Sequence, residues 1–236
     1  MLNLTLSAGH ALVTSGKQTP DGYKEWSFNS GVVKKMMLLL AQYKDVAVLR
    51  LDDPTGQRDI PLSERADRSD SFGAHFHLDV HANAAGPGGW YDAAAGIETF
   101  SYKLSGTSFE IAKKLQSALI GATGLKNRGV KDGAGLYMIK GVKAPSCLVE
   151  CGFMTNRTEA ALLKSDDYQS KIANALVGAI ASHFGLVKNA PPAPKSAPAP
   201  GTLYRVQVGA FSKIEGAKSL QAKLKAAGFD AIIKED

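Results

Sequence analysis

The sequence predicts an α/β fold: an open, twisted, mostly parallel sheet covered by helices on both faces, with a short β-α-β piece after it. Three observations predict it. Short β-rich runs alternate with longer stretches whose apolar residues recur near a 3.6-residue period, the pattern of strands joined by crossover helices. A Pro/Ala tract near residue 190 divides a large body from a small C-terminal remainder. Apolar content of 44% and charged content of 21% fit a globular chain of 236 residues, and a body of this size buries an ordinary core without disulfides.

Leu2–Leu6 alternates apolar and polar residues, and Val46–Leu51 is rich in strand-forming residues, so both read as strands. Between them Phe28, Val32, Met36, Leu39, Leu40 and Tyr43 recur at helical spacing. Pro61-Leu62-Ser63-Glu64 opens a second helix, a proline at the start being tolerated where its missing N–H is not needed. His75–His81 and Gly96–Tyr102 read as strands. Phe109, Ala112, Leu115 and Leu119 mark a third helix. Leu136–Ile139 and Cys147–Val149 read as further strands, and Glu159–Lys164 and Tyr168–Phe184 as closing helices. In such sheets chemistry gathers at the carboxyl ends of the strands.

The stretch from Asn189 to Pro200 holds five of the ten prolines. It favours extended polyproline II and spans up to roughly 37 Å at about 3.1 Å per residue. The expected domains are therefore residues 1–187, a linker at 188–201 and a C-terminal module at 202–236.

Cys147 and Cys151 are the only cysteines. Four residues apart on one strand, their backbones stand roughly 13 Å apart, well beyond the about 7 Å that a disulfide tolerates. Buried thiols made in a reducing compartment are expected. Residues 1–6 lack the basic start and apolar stretch of a secretory signal, so synthesis in the cytoplasm is expected. No apolar run is long enough for an integral membrane segment. The net charge of +6 is spread along the chain with no dense Lys/Arg patch, so nucleic acid is not the expected partner; an anionic polymer or plain solubility accounts for it equally well.

His10 follows the first strand, His81 ends another and Glu150 ends a third, while Glu25 lies just ahead of the first amphipathic helix. Two imidazoles and a carboxylate, with a fourth position left to water, is the usual ligand set of hydrolytic zinc. A second carboxylate that is not a ligand can move a proton from water to the leaving group. Spacing alone carries little here, because the ligand candidates are scattered along the chain.

Ser7-Ala8-Gly9-His10, Glu25, Leu62-Ser63-Glu64-Arg65, His81-Ala82-Asn83-Ala84, Gly96-Ile97-Glu98-Thr99-Phe100, Asn127-Arg128-Gly129-Val130-Lys131 and the run Pro145 to Asn156 occur in one order. Over about residues 2–185 this resembles the amidase-3 family of N-acetylmuramoyl-L-alanine amidases, which includes bacterial autolysins and phage endolysins. The resemblance implies a zinc ion, Zn2+, held by His10, Glu25 and His81, with Glu150 as the catalytic glutamate. It implies peptidoglycan as the partner and the amide between the lactyl group of N-acetylmuramic acid and L-alanine as the bond cut. A phage endolysin is the favoured type over a mother-cell autolysin. Septal members of the family carry an inhibitory helix near the active site; the stretch between His81 and Gly96 leaves no room for one, which predicts activity without an activator.

Each of these residues also has a plainer reading. His10 alone fits a hydrogen-bonded loop residue, and Glu25 fits a charge favoured at a helix N-terminus. Glu150, flanked by apolar strand residues, is costly to bury without a partner or a function. His75, His77, Asp79 and His81 share one strand face by their period of two. A rival metal site at His77, Asp79 and His81 is therefore geometrically open, although it leaves His10 and Glu150 without a role. Otherwise His77 and Asp79 are expected to hydrogen-bond His81 and fix its orientation. Arg65 and Arg128 fit either carboxylate binding or a buried salt bridge. Trp90 and Tyr91 fit either a glycan groove or cover for the sheet edge.

Tyr204–Phe211 alternates as a strand, Ala217, Leu220, Leu224 and Ala227 make a helical face ended by Gly228, and Phe229–Lys234 reads as a second strand. This resembles one half of a SPOR domain, a peptidoglycan-binding module. A monomer is expected, with a dimer through the half-module as the alternative. Two other functions stay open at this point: a zinc peptidase cutting within the stem, and a non-catalytic wall-binding protein.

Overall fold

In the computed structural model, residues 1–190 and 206–234 are described. They form two compact units, Met1–Asn189 and the remainder.

The first unit is built on a six-stranded sheet: β1 (Leu2–Ala8), β2 (Val46–Arg50), β3 (Phe76–Asn83), β4 (Ile97–Ser101), β5 (Asn127–Asp132) and β6 (Ser146–Phe153), in the order β2-β1-β3-β6-β4-β5. All neighbours are parallel except β4 and β6, which pair antiparallel. The sheet is thus mostly parallel, as expected.

Alternation along the strands sorts the two faces. Leu4, Leu6 and Ala8 of β1, Phe76, Leu78 and Val80 of β3, and Cys147, Val149 and Cys151 of β6 line one face. On that face pack α1 (Glu25–Leu40), α3 (Gly106–Thr123) and α6 (Asp166–Phe184), through Val32, Met36, Leu115, Leu119, Ile172 and Leu176 among others. The opposite face carries α2 (Leu62–Ser71) and α4 (Tyr137–Lys140) over a smaller cluster of Leu51, Ala66, Met138 and Val142. Much of this second face is buried and polar: Thr5 bonds the Ser69 hydroxyl at 2.9 Å and the His77 ring at 3.1 Å. A short helix, α5 (Arg157–Leu163), follows β6.

Two expectations within the sheet unit are corrected. Leu136–Ile139 is not a strand but leads into α4, a single helical turn whose Met138 and Ile139 are buried. A four-residue apolar run has no periodicity to separate the two states. The strand β5, unforeseen, is polar and glycine-containing because it is an edge strand in which no residue is buried. The chain also stays with this unit beyond residue 187: Asn189 N–H donates to the Gln42 carbonyl at 2.7 Å.

In the second unit the expected helix is α7 (Ile214–Ala226). The described parts of the two flanking segments, 206–211 and 229–234, are not strands, and they leave Val206, Val208 and Ile232 largely exposed. A strand needs a paired neighbour for its backbone groups, and none of the described residues offers one. Tyr204, Arg205 and most of the Pro/Ala linker fall outside the described residues.

Both cysteines are free and buried on the α1 face. Burial pushes both thiols well above their ordinary range, and the thiolate is the reactive form. Iodoacetamide should therefore leave the folded protein unlabelled at neutral pH and modify both thiols once urea unfolds it. Rapid labelling of native protein would contradict the packing.

Candidate metal and catalytic site

The site begins where β1 ends. Gly9 N–H continues the ladder to the Val80 carbonyl at 3.0 Å, and the chain then turns at His10, whose φ of 64° lies in the left-handed region. A non-glycine residue there costs of order 1–3 kcal/mol and persists only when its surroundings over-determine it. Arg65 does so from beneath. Fully buried, it spends all five donors inside the protein, on the Ile60, Ala8 and His10 carbonyls, the Ser7 hydroxyl and Asp59. Of its two candidate roles, Arg65 takes the structural one. Gly9 is glycine for a steric reason: a Cβ there would stand 2.1 Å from Cε1 of His81.

Glu25 is the first residue of α1, buried at the helix N-terminus. Its Oε1 accepts from the Asn29 side chain at 3.1 Å, from the Ala82 N–H at 3.1 Å and faces His81 Nδ1 at 3.0 Å. Its Oε2 faces His10 Nε2 at 3.3 Å. The two imidazoles stand edge to face with centroids 5.1 Å apart. Burial alone would raise the Glu25 carboxyl, but the His81 and His10 rings and the Ala82 N–H outweigh it and hold it below its usual range. Burial lowers His10. It also pulls His81 down, yet the Asp79 and Glu25 carboxylates override it and hold that ring well above its ordinary value.

Glu150 neighbours His81 directly: the two are register partners of β6 and β3, with side chains on one face of the sheet. Its Oε2 is sealed from solvent and has no hydrogen-bond partner among the described residues. Burial pushes its carboxyl up to about 8; His81 opposes this, and Glu25, Glu98 and Asp79 add to it. A carboxyl poised near neutrality with a free oxygen suits proton transfer.

His10, Glu25 and His81 each offer a ligand atom within 4.8 Å of the others. Around a tetrahedral ion with bonds of about 2.0–2.1 Å, ligand atoms lie roughly 3.3 Å apart, close to the 3.3 and 3.0 Å separations here. Donor chemistry and spacing both fit zinc. The rival set is not brought together. His77 turns its Nδ1 to Thr5, leaving Nε2 without a partner among the described residues, and His75 accepts from the Asn3 N–H just before β3. Of the two residues expected to hold His81, His77 does not. Asp79 makes no hydrogen bond to it either, but stands as a counter-charge, its Oδ2 3.6 Å from Nε2, the ring nitrogen that faces away from Glu25.

Partners of this outer kind are worth 10–100-fold in metal affinity. Asp79→Ser should therefore weaken zinc retention by about that factor in a competition with a chelator. Unchanged affinity would remove Asp79 from the site.

Glu98 and Asn83 stand in the sequence motifs without a role of their own. Glu98 is the register partner of Glu150 on the other side and is buried. It accepts from Asn83 Nδ2 at 2.8 Å and from Arg128 Nε at 2.8 Å. The signal was a carboxylate between apolar Ile97 and a buried Thr99 within a strand. The loop between β3 and β4 contains no helix. Trp90 in that loop lies under the Arg157 guanidinium, 5.4 Å from the ring centroid, while Tyr91 is 41% exposed.

Both parts of the chain are similar to known families. Residues 4–182 match the N-acetylmuramoyl-L-alanine amidase family and residues 199–236 match the SPOR domain family. The N-acetylmuramoyl-L-alanine amidase CwlM of Bacillus licheniformis is 30% identical over 199 residues, covering 83% of this chain and 70% of the relative. The sporulation-specific N-acetylmuramoyl-L-alanine amidase of Bacillus subtilis is 26% identical over 237 residues, covering 99% and 84% of the two chains. Among solved structures, the catalytic domain of CwlV, an N-acetylmuramoyl-L-alanine amidase from Bacillus (Paenibacillus) polymyxa var. colistinus, superposes with a TM-score of 0.71 at 25% identity. That likeness covers 78% of this chain and 99% of the other.

Proposed function

The chain belongs to the N-acetylmuramoyl-L-alanine amidase family, and from that premise we propose a zinc-dependent enzyme that lyses bacterial cell walls. It is an amidase acting on peptidoglycan, cutting the bond between N-acetylmuramic acid and L-alanine. The observation that carries the zinc reading is the convergence of His10, Glu25 and His81 from three separate elements beside an unpartnered Glu150 oxygen.

His10, Glu25 and His81 would hold the ion, which would supply Lewis acidity toward the substrate carbonyl oxygen and a water. Asn29 and the Ala82 N–H keep the Glu25 carboxylate turned to the two imidazoles. Asp79 places a negative charge 3.6 Å from the outer nitrogen of His81. Glu150 Oε2 takes a proton from the attacking water and returns it to the nitrogen of the departing L-alanine, so the carboxylate is restored at the end of each turnover. All four residues come from one chain, which supports a monomer as the working unit. We assign catalysis to residues 1–187, spacing to the Pro/Ala stretch 188–201 and retention on the glycan to residues 202–236.

Mass spectrometry of digested walls tests the bond specificity: intact stems beginning with L-alanine are expected. Fragments cut within the stem would favour a zinc peptidase, and wall pull-down without any release would favour a binding protein. With no helix between β3 and β4 to cover the site, the purified zinc-loaded protein should digest walls with nothing added; a strict need for an activator would overturn that reading.

For the biological setting we favour a phage endolysin, made in the cytoplasm and released to the wall. Support comes from the likeness to a relative named as an endolysin, from Bacillus phage SPP1, 32% identical over 189 residues. Mother-cell autolysis is the second reading, favoured by the match of nearly the whole chain to the sporulation-specific relative. A transcript rising on prophage induction supports the first, and one confined to sporulating cells supports the second.

A further inference from the structure

The row of polar groups across the strand ends does not stop at Glu150. Glu98 on β4 faces Glu150, and Arg128 on β5 bonds Glu98, so charged side chains continue to the edge of the sheet. The β4–β5 register slips at this place: Ile97 pairs with Asn127 and Thr99 with Val130, so Arg128 and Gly129 together oppose Glu98. Gly129 takes φ 79°, and its N–H is held by the Asn127 side chain at 2.9 Å. Such bulges re-aim a side chain and concentrate beside active sites. Here the bulge accompanies a guanidinium laid 4.8 Å from the centroid of the Phe153 ring.

Only part of that guanidinium is used. Nε is committed to Glu98, Nη1 makes a long contact of 3.5 Å with the Ala95 carbonyl, and Nη2 has no partner among the described residues. The Arg128 side chain is 29% exposed, whereas Glu98 is 8% exposed. Arg65 is the contrast: buried, with every donor satisfied. Phe153 below and Glu98 behind fix the plane of the Arg128 fork, and its free donors are left for an acceptor from outside. A planar fork of this kind suits a carboxylate.

We propose that Arg128 is a specificity-determining residue that binds a free carboxylate of the substrate's stem peptide, with Glu98 and Phe153 positioning it. The glycan side of the scissile bond offers no carboxylate, because the lactyl carboxyl is itself the amide being cut. Arg128 stands two strand spacings, roughly 10 Å, from Glu150. An extended chain covers that in about three residues, which places the recognised carboxylate two to three residues into the stem. The inference rests on the amidase reading of the same site.

The test uses two soluble muropeptides that differ only in whether that stem carboxylate is free or amidated, assayed with the full zinc-loaded chain. The parent should favour the free carboxylate by about tenfold or more in kcat/KM, mainly through KM, as befits a charged hydrogen bond. Arg128→Gln should bring the ratio close to one, and Arg128→Lys should keep part of it. A parent ratio near one overturns the inference, as does a ratio unchanged in Arg128→Gln. Because the readout is a ratio, a general loss of folded enzyme does not imitate the expected result. If neither muropeptide yields free stem from the parent, it is the amidase reading that fails instead.

Discussion

Replacing Glu150 by Gln should lower kcat by about 10²–10⁴-fold, the span of a well-placed general base, while leaving the zinc content of the purified protein unchanged. The two halves of that result separate proton transfer from metal holding. Gln keeps the size of the side chain and its place beside His81 but cannot accept and return a proton at the position of Oε2. A fall in activity accompanied by loss of zinc would instead make Glu150 part of the metal site. The same substitution has a signature without metal or substrate. Burial raises the Glu150 carboxyl to about 8 from an ordinary 4.5. The folded state therefore binds more protons than the unfolded chain between those values, so this group's contribution to stability is present below 4.5 and is lost as pH rises through 8. In chelated protein Glu150→Gln should melt several degrees above the parent at pH 8–9. At pH 4 the two should lie close together. Equal melting temperatures at both pH values would mean that the carboxyl is not held in the raised state.

The second large effect concerns the ligands. His81→Ala should reduce zinc affinity by well over about 100-fold, since even partners beyond the ligands are worth 10–100-fold, and activity should fall with bound metal. His10→Ala should do the same. Chelation of the parent should abolish activity, and added zinc should restore it, whereas neither variant should be rescued at equal zinc. Folding need not fail with the metal: the core on the α1 side is continuous and apolar, and far-UV circular dichroism should change little. A His81→Ala protein that keeps a full equivalent of zinc would point to another site.

The parts of this site that were legible in the sequence share a physical reason. His10, His81 and Glu150 each stand at or near a strand end, next to residues whose alternation marks the strand, so both the element and the edge could be read. Glu25 was placed just ahead of the helix and proves to be its first residue. The left-handed backbone at His10 left no such mark, nor did the approach of Gly9 to the His81 ring. Both are set by contacts between segments 55 or more residues apart in sequence.

The fold was legible to a similar depth. Helices with a long apolar stripe came through because packing on one sheet face demands that stripe. The edge strand β5 did not, since an exposed edge needs no apolar alternation. The antiparallel pairing of β4 left no trace, because strand direction depends on where the connecting segments go, which residue type does not encode. The expected C-terminal strands alternate in sequence, yet alternation fixes only which side chains share a face; a strand also needs a neighbour. His77 shows the same limit on a smaller scale. Period two put it on the face of His81, but Thr5 on the adjacent strand takes its ring nitrogen.

The most direct test is the position of the metal itself. Crystals grown with zinc should give one anomalous-difference peak at the zinc edge, within about 2.0–2.2 Å of His10, Glu25 and His81, with Glu150 close by but not coordinating. A peak at His77 and Asp79, or zinc bound with His10 turned away from His81, would contradict the account.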